Sequence, residues 1–205
     1  GKKINTFPSI ANALQGHQAG EVVKVVFYRG KENLTLPMQL SKRPLPTIPT
    51  SGKEFADALR NLFAPFDIEL DKTLAGVTEE QASYRPTEKE WSIRDVLAHL
   101  IIGERDNAGF LAESIEGAQR TYDTFPNNLE IRHQAIFVTH PTLKDLISEW
   151  RKAQRENLAM HELLPASFIA RKGSYWRYAF GTLQGNIHLN DHLRQIKELM
   201  EKSRK

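Results

Sequence analysis

The spacing of apolar residues changes once along this chain, near residue 50. In residues 22–40 apolar positions either run together or alternate with polar ones, which is typical of β-strands. From residue 54 onward they recur every three or four positions, as in helices with one buried side. The pattern therefore predicts two regions of different secondary structure.

Residues 1–44 are predicted to form one short helix and one β-hairpin. The segment FPSIANALQGH spaces Ile10 and Leu14 as on one side of a helix, and a proline is tolerated in a first turn. The run EVVKVVFYRG, a turn at RGKEN and an alternating second run follow as two strands. The second strand is expected at a sheet edge, because Pro37 cannot donate a ladder hydrogen bond. Its apolar face contains Leu34, Leu36, Met38 and Leu40.

A proline-rich stretch separates the two regions. SKRPLPTIPTSGK contains three prolines among serines and threonines, a composition that favours an extended spacer. We place the linker at residues 45–53, the first domain at 1–44 and the second at 54–205.

Four amphipathic segments of about 20 residues follow the linker and predict four long helices. The second helix should begin after Ser92, with Asp95 completing a capping box, and end at Gly117. Four such helices predict a mainly α fold, an up-down four-helix bundle preceded by the small α/β segment. The connections at 118–139 and 164–175 are long, and loops of that length are often functional.

The last of the four helices is predicted over residues 178–203. Its apolar stripe contains Leu183, Ile187, Ile196 and Leu199. His188 and His192 lie at the edge of this stripe and are expected on the inner face of the helix.

Composition and charge exclude several classes of partner. Of 205 residues, 40% are hydrophobic and 26% charged, as in soluble globular proteins. The 28 basic and 25 acidic side chains are interspersed, without the clustered basic face of nucleic-acid-binding proteins. No apolar run approaches the ~20 residues of a membrane helix. We expect no nucleic-acid or membrane partner, and a cytoplasmic rather than an exported protein whose natural N-terminus lies upstream of the first residue.

The candidate chemistry lies in three histidines. His188 and His192 are one helical turn apart and can offer nitrogens to one metal ion. The pair alone is a weak signal, because this spacing often arises by chance. His99, in the apolar stripe of the second long helix, is the candidate third ligand, although a lone histidine there is more often an ordinary core residue. Three such ligands leave open positions for water or substrate and suit zinc, nickel, iron or cobalt.

Other polar and aromatic residues are weaker candidates. Glu104 and Asp106 follow His99 and either orient a ligand, serve as general base or are simply exposed helix charges, the commonest situation. Four residues before the last helix either line a pocket mouth or pack the bundle end: Tyr175, Trp176, Arg177 and Tyr178. The histidines without a spacing partner are interpreted as ordinary residues: His17, His133, His140 and His161. Cysteine is absent, so any thiol must come from another molecule.

Two motifs resemble those of the DinB-like metalloprotein superfamily. EWSIRDVLAHL at residues 90–100 and HLNDHLRQI at 188–196 are similar to that family's Trp-Ser helix opening with a nearby histidine and its His-x-x-x-His pair before Gln-Ile. The resemblance covers about residues 52–203 and implies a divalent metal held by the three histidines. It also implies an enzyme acting on a small-molecule substrate, S-transferase-like with a low-molecular-weight thiol. A hydrolase-like reaction, in which the ion activates water, is the alternative.

Residues 1–44 resemble the C-terminal half of a bacterial PDZ domain. The order of a glycine-led strand, a helix, an AGE turn and the VVKVVFYRG strand is similar, while the peptide-binding half has no counterpart. A small α/β cap is an alternative interpretation. The PDZ likeness implies a protein partner, and unpaired strand edges favour a homodimer.

The alternative function of the whole protein is a binding or regulatory module in which the metal only stabilises the bundle. A third alternative is that no metal is bound in the cell.

Overall fold

The computed structural model describes residues 1–42, 45–118 and 129–204. It is mainly helical, with a small antiparallel sheet near the N-terminus, and it divides into two compact units, Gly1–Leu45 and Pro46–Lys205. None of the described helices combines the length and the apolar composition that crossing a membrane requires. The last two positions of the predicted first domain, 43–44, lie outside the described residues.

The N-terminal unit consists of one helix and one hairpin. Helix α1 (Phe7–Leu14) is followed by the strands β1 (Val22–Arg29) and β2 (Glu32–Gln39). The strands are joined by Gly30 and Lys31, and Gly30 has a φ of +62°. A positive φ at the first position of a two-residue hairpin loop favours glycine. The predicted helix and hairpin are confirmed.

The glycine-led strand expected at the start of the chain is not formed. Residues 1–5 have no regular secondary structure, and the sheet formed by the described residues contains only β1 and β2. Pro37 lies opposite Lys24, and β2 pairs on one side only, as its proline predicts.

The second unit contains four long helices that contact one another in a ring. They are α2 (Gly52–Leu74), α4 (Ile93–Glu116), α6 (Leu143–Glu162) and α9 (Gly185–Ser203). Helices α2 and α4 each contact both α6 and α9. The shorter helices are α3 (Glu79–Ser83), α5 (Leu129–Thr139), α7 (Ala166–Ile169) and α8 (Lys172–Thr182).

Local sequence explains where two long helices begin and end. The side chains of Ser92 and Thr142 accept hydrogen bonds from the backbone N–H groups of Asp95 and Asp145, whose carboxylates bond back to the cap backbone. These capping boxes start α4 and α6. Gly117 ends α4 in the left-handed conformation, with a φ of +93°. The predicted bounds of α4 are confirmed.

Two groups of buried side chains hold the helices of the second unit together. The larger group joins α2, α4, α6 and α9 around Trp150, which is fully buried. The smaller group is half aromatic and includes Phe55, Leu59, Leu111, Phe168, Tyr175 and Tyr178. The apolar stripes predicted for α2 and α6 supply many of these residues, because helical spacing places them on one side.

Both long connections predicted between helices contain helical structure. Residues 129–139 of the first connection form α5, while 119–128 lie outside the described residues. The second connection contains α7 and the beginning of α8. Helix α7 has only four residues, which is too short for a helical pattern to be distinguished from a loop by sequence alone.

The last helix predicted from the sequence is interrupted. Helix α8 ends at Thr182 and α9 begins at Gly185. Glycine weakens a helix by about 1 kcal/mol relative to alanine, and Gly181 and Gly185 flank this break. Ile187, predicted to lie in the apolar stripe, is 61% exposed. The buried side of α9 contains the predicted Ile196 and Leu199 together with Leu189, Leu193 and Met200.

Candidate metal centre

The three predicted histidines come together from two helices. His99 extends from α4, and His188 and His192 extend from successive turns of α9. The Nε2 atom of His188 lies 3.3 Å from Nε2 of His99 and 3.2 Å from Nε2 of His192. One nitrogen from each ring lies within 4.8 Å of the others. The packing of α9 on α4 thus forms a cluster of three imidazoles.

The distances in this cluster fit a shared ion better than a set of hydrogen bonds. A neutral imidazole nitrogen has either one N–H or one lone pair. The Nε2 atom of His188 faces two other ring nitrogens, so it can form a normal hydrogen bond with only one of them. Nitrogen ligands about 2.05 Å from a tetrahedral zinc ion lie roughly 3.3 Å from each other. The three histidines could therefore hold a divalent ion.

Burial keeps these imidazoles in the neutral form that metal binding requires. Desolvation, reinforced by the charges of His192 and His188, lowers the pKa of His99 to about 4. Desolvation also lowers the pKa of His188 and that of His192. Near neutral pH, an incoming ion would therefore displace few protons.

The cluster is open to solvent on the side of α9. His192 is 9% exposed, whereas His188 is an exposed residue. The predicted inner-face position is confirmed for His192 and wrong for His188. The depression at the cluster has a volume of about 400 Å³. Its lining consists of His99, His188, Asp191, His192, Arg194, Gln195 and Glu198. An exposed ligand leaves room for water or substrate beside an ion.

Two further residues of the recognised motifs contact the histidine rings. The Nδ1 atom of His192 lies 3.1 Å from Oε1 of Gln195. Because an amide oxygen only accepts, this contact places the proton on Nδ1 and the lone pair on Nε2. The ring of Trp91 lies nearly parallel to His192, at 6.3 Å and 17°, and 5.0 Å from the ring of His99. Gln195 and Trp91 thereby restrict the orientation of two candidate ligands.

His133 is more than the ordinary residue that its isolated position in the sequence suggested. It is 5% exposed, and its ring centroid lies 5.6 Å from that of Trp91. Its Nδ1 atom faces Oδ1 of Asp95 at 3.6 Å, and Arg85 donates to the same oxygen at 2.8 Å. Burial by itself raises the pKa of Asp95, but contacts with His133, Ser92 and Arg85 lower it to about 2. Asp95 is therefore ionised at neutral pH.

Glu104 and Asp106 are neither exposed charges nor part of the depression's lining. The carboxylate of Glu104 accepts a hydrogen bond from the side-chain amide of Asn157 on α6, and burial raises its pKa to about 7. Asp106 accepts two hydrogen bonds from Arg132 of α5, at 2.8 and 2.5 Å. Glu104 and Asp106 are therefore neither a general base at the cluster nor exposed charges. Their hydrogen bonds instead join α4 to α6 and to α5.

Two of the three aromatic residues singled out before α9 are buried, and the third, Trp176, is 46% exposed. Tyr175 and Tyr178 are buried, and the Tyr175 hydroxyl donates to the carbonyl of Pro49 at 2.8 Å. Trp176 stacks on Phe180, with ring centroids 4.8 Å apart. Arg177 is exposed. Of the two interpretations of this segment, the structure supports packing at the end of the helices.

The remaining histidines have partners away from the cluster. His17 pairs with Glu21 at 2.6 Å, and His140 pairs with Glu149 at 3.2 Å. His161 is fully buried, and its Nδ1–H donates to a backbone carbonyl of its own helix at 2.6 Å. None of these three histidines therefore offers a nitrogen to the candidate metal centre.

The fold and the cluster define a class of helical protein with a three-histidine site suited to a divalent ion. Comparison with known proteins agrees, since a family model described as the DinB superfamily matches residues 69–196. The match spans more than half of the chain and includes all three histidines, so the chain belongs to the DinB superfamily. No curated protein and no solved structure matches it. The PDZ-like interpretation of residues 1–44 stays a prediction.

Proposed function

We propose that this chain is a metal-dependent enzyme in which His99, His188 and His192 hold one divalent ion. The observation that carries the proposal is the convergence of three ring nitrogens, with two separations of 3.3 and 3.2 Å, in a depression open to solvent. Three protein ligands with an open position are typical of catalytic rather than structural zinc sites. Nickel, iron and cobalt also accept imidazole ligands.

The arrangement of the long helices supports this proposal. We infer that α2, α4, α6 and α9 form an up-down four-helix bundle, because each of α2 and α4 contacts both α6 and α9. In such bundles, metal ligands extend inward from facing helices. Here α4 supplies one histidine and α9 supplies two.

A bound divalent ion would supply Lewis acidity, which lowers the pKa of a nearby water or thiol. The chain's own residues orient the histidine ligands and contact the substrate. Gln195 holds the ligand tautomer of His192, and Trp91 restricts the rings of His99 and His192. Arg194, paired with Asp191 at 3.0 Å, lines the same depression and offers a cation to polar groups of a substrate.

The nucleophile is proposed to be an external small molecule. The chain has no cysteine, so an S-transferase-like reaction needs a low-molecular-weight thiol, whereas a hydrolase-like reaction needs only water. In both versions the partner is a small electrophilic substrate, and neither nucleic acid nor membrane is involved. We propose a cytoplasmic location, where low-molecular-weight thiols are reduced.

Turnover of an epoxide or a haloalkane, measured with and without added thiol, tests this function. Thiol-dependent turnover supports the transferase version, and thiol-independent turnover supports the hydrolase version. The His188→Ala variant should lose activity and stay folded, because residue 188 is exposed. His140→Ala is the matched control, since His140 pairs with Glu149 outside the cluster. Full activity of His188→Ala would contradict a metal-dependent reaction at this site.

A second candidate function is a non-catalytic binding or regulatory module. The observation that favours it is the hairpin β1–β2, on which Val22, Val26 and Tyr28 are 63%, 61% and 72% exposed. Exposed apolar strands with free edges pair readily with another chain, either a protein partner of a PDZ-like segment or a second copy.

Two measurements separate the second function from the first. If the ion only staples the helices, His188→Ala should lower the melting temperature strongly, whereas a catalytic ion predicts lost activity at nearly unchanged stability. A monomer in light scattering at high protein concentration would refute the homodimer.

A further inference from the structure

Two buried ring nitrogens near the histidine cluster have no hydrogen-bond partner among the described residues. They are Nδ1 of His99 and Nε2 of His133. A buried polar group without a partner destabilises the folded state. A histidine that binds a metal through one nitrogen almost always donates its other N–H to a carboxylate, a carbonyl or a water. The missing partner of His99 is therefore a feature that the three ligands alone leave unexplained.

The contacts of the two histidines assign opposite hydrogen-bonding roles to these nitrogens. His99 directs Nε2 toward His188, at 3.3 Å, so its proton belongs on Nδ1, which is a donor. His133 directs Nδ1 toward Asp95, at 3.6 Å, and the negative carboxylate favours the proton on that nitrogen. The Nε2 atom of His133 is then an acceptor. Among the described residues, one donor and one acceptor are therefore both buried and unpaired.

Both histidines pack on the same indole. The ring of Trp91 lies 5.0 Å from His99 and 5.6 Å from His133. Among the described residues neither nitrogen has a partner within hydrogen-bond distance, and one buried water between them would satisfy both.

We propose that Asp95, His133 and His99 form a polar relay, in which His133 accepts the Nδ1–H of His99 through one bridging water. Arg85 anchors the far end by donating to Asp95 at 2.8 Å. The relay fixes the ring and tautomer of His99, so His133 is a positioning residue for the metal ligand. This inference rests on the proposed function, because it assigns a role toward the same ion.

The experiment compares metal affinity in four forms of the full chain. They are the wild type and the variants His133→Phe, His133→Gln and His140→Phe. Phenylalanine keeps an aromatic ring against Trp91 but accepts no hydrogen bond, while glutamine retains an acceptor oxygen. His140→Phe is the matched control, because His140 pairs with Glu149 away from the cluster. Zinc dissociation constants come from competition with a chelator, and the visible spectrum of the cobalt(II)-loaded protein reports ligand geometry.

The relay predicts that His133→Phe weakens zinc binding about 10- to 100-fold, the usual effect of removing the partner of a metal ligand. It also predicts an altered cobalt spectrum, partial recovery in His133→Gln and no change in His140→Phe. Wild-type affinity and spectrum in His133→Phe would overturn the relay and leave the metal site standing. Equal losses in His133→Phe and His133→Gln, together with a lower melting temperature of the metal-free protein, would also overturn it, in favour of a packing role. Absence of zinc binding by the wild type would instead overturn the proposed function, and the relay with it.

Discussion

Replacing Glu104 by glutamine should make the protein more stable at alkaline pH and change little at acidic pH. The carboxylate of Glu104 contacts the amide of Asn157 and has no cationic partner among the groups that shift its pKa. Burial raises that pKa from the ordinary value of 4.5 to about 7. Protonated Glu104 therefore favours the folded state more than ionised Glu104 does. Glutamine keeps an acceptor oxygen for Asn157 but never ionises.

The size of the effect follows from the difference between the folded and unfolded pKa of Glu104. Because the folded-state pKa is raised, the stability it contributes is fully present below pH 4.5 and is lost as pH rises through about 7. At about 1.4 kcal/mol for each pKa unit, the complete loss is roughly 3.5 kcal/mol. Between about pH 5 and about pH 8, the loss is roughly 2.5 kcal/mol.

Urea unfolding across this pH range tests the predicted loss of unfolding free energy. It compares the chelator-treated wild type with Glu104→Gln. The difference in unfolding free energy between the two proteins should move by about 2 to 3 kcal/mol in favour of the variant as pH rises. Taking the difference cancels the contribution of other titrating groups. Glu156→Gln, an exposed change on α6, should show no such trend. A constant difference between wild type and Glu104→Gln at all pH values would refute the reasoning.

Three further substitutions test other parts of the structure. Gln195→Leu should weaken zinc binding about 10-fold in chelator competition, because it removes the acceptor at Nδ1 of His192; unchanged affinity would contradict the contact. Gly52→Ala should lower the melting temperature, since a Cβ there would lie 2.6 Å from the carbonyl oxygen of His161; an unchanged value would show that the backbones separate easily. Trp150→Ala should cost about 3–5 kcal/mol in urea unfolding, because it empties a fully buried position; a loss below about 1 kcal/mol would contradict its place in the core.

The long helices and the histidine cluster could be predicted because their signals lie in short stretches of sequence. Ser92 and Asp95 mark the beginning of α4 by cap chemistry, and these bounds depend only on neighbouring residues. The spacing of His188 and His192 is likewise local. Their approach to His99, almost ninety positions earlier, required the resemblance of two separate motifs to one family.

The surroundings of the site could not be predicted, because they depend on contacts between helices. His133 lies in a segment interpreted as a loop, although Leu129, His133 and Ile136 have helical spacing that could have revealed α5. Glu104 was interpreted as an exposed charge, since its partner Asn157 lies on another helix. Ile187 is predicted on the buried side, but it is nine positions, or two and a half turns, from Ile196, so the two side chains lie on opposite sides of α9.

Metal analysis of the protein purified without a histidine tag tests the central claim most directly. We predict about one divalent ion per chain in the wild type and in the control His140→Ala. His99→Ala and His188→Ala should lose most of the bound metal. Elemental analysis by mass spectrometry measures the stoichiometry and also identifies the metal. A wild-type stoichiometry near zero, both as purified and after incubation with zinc, nickel, iron or cobalt, would contradict a metal centre at His99, His188 and His192.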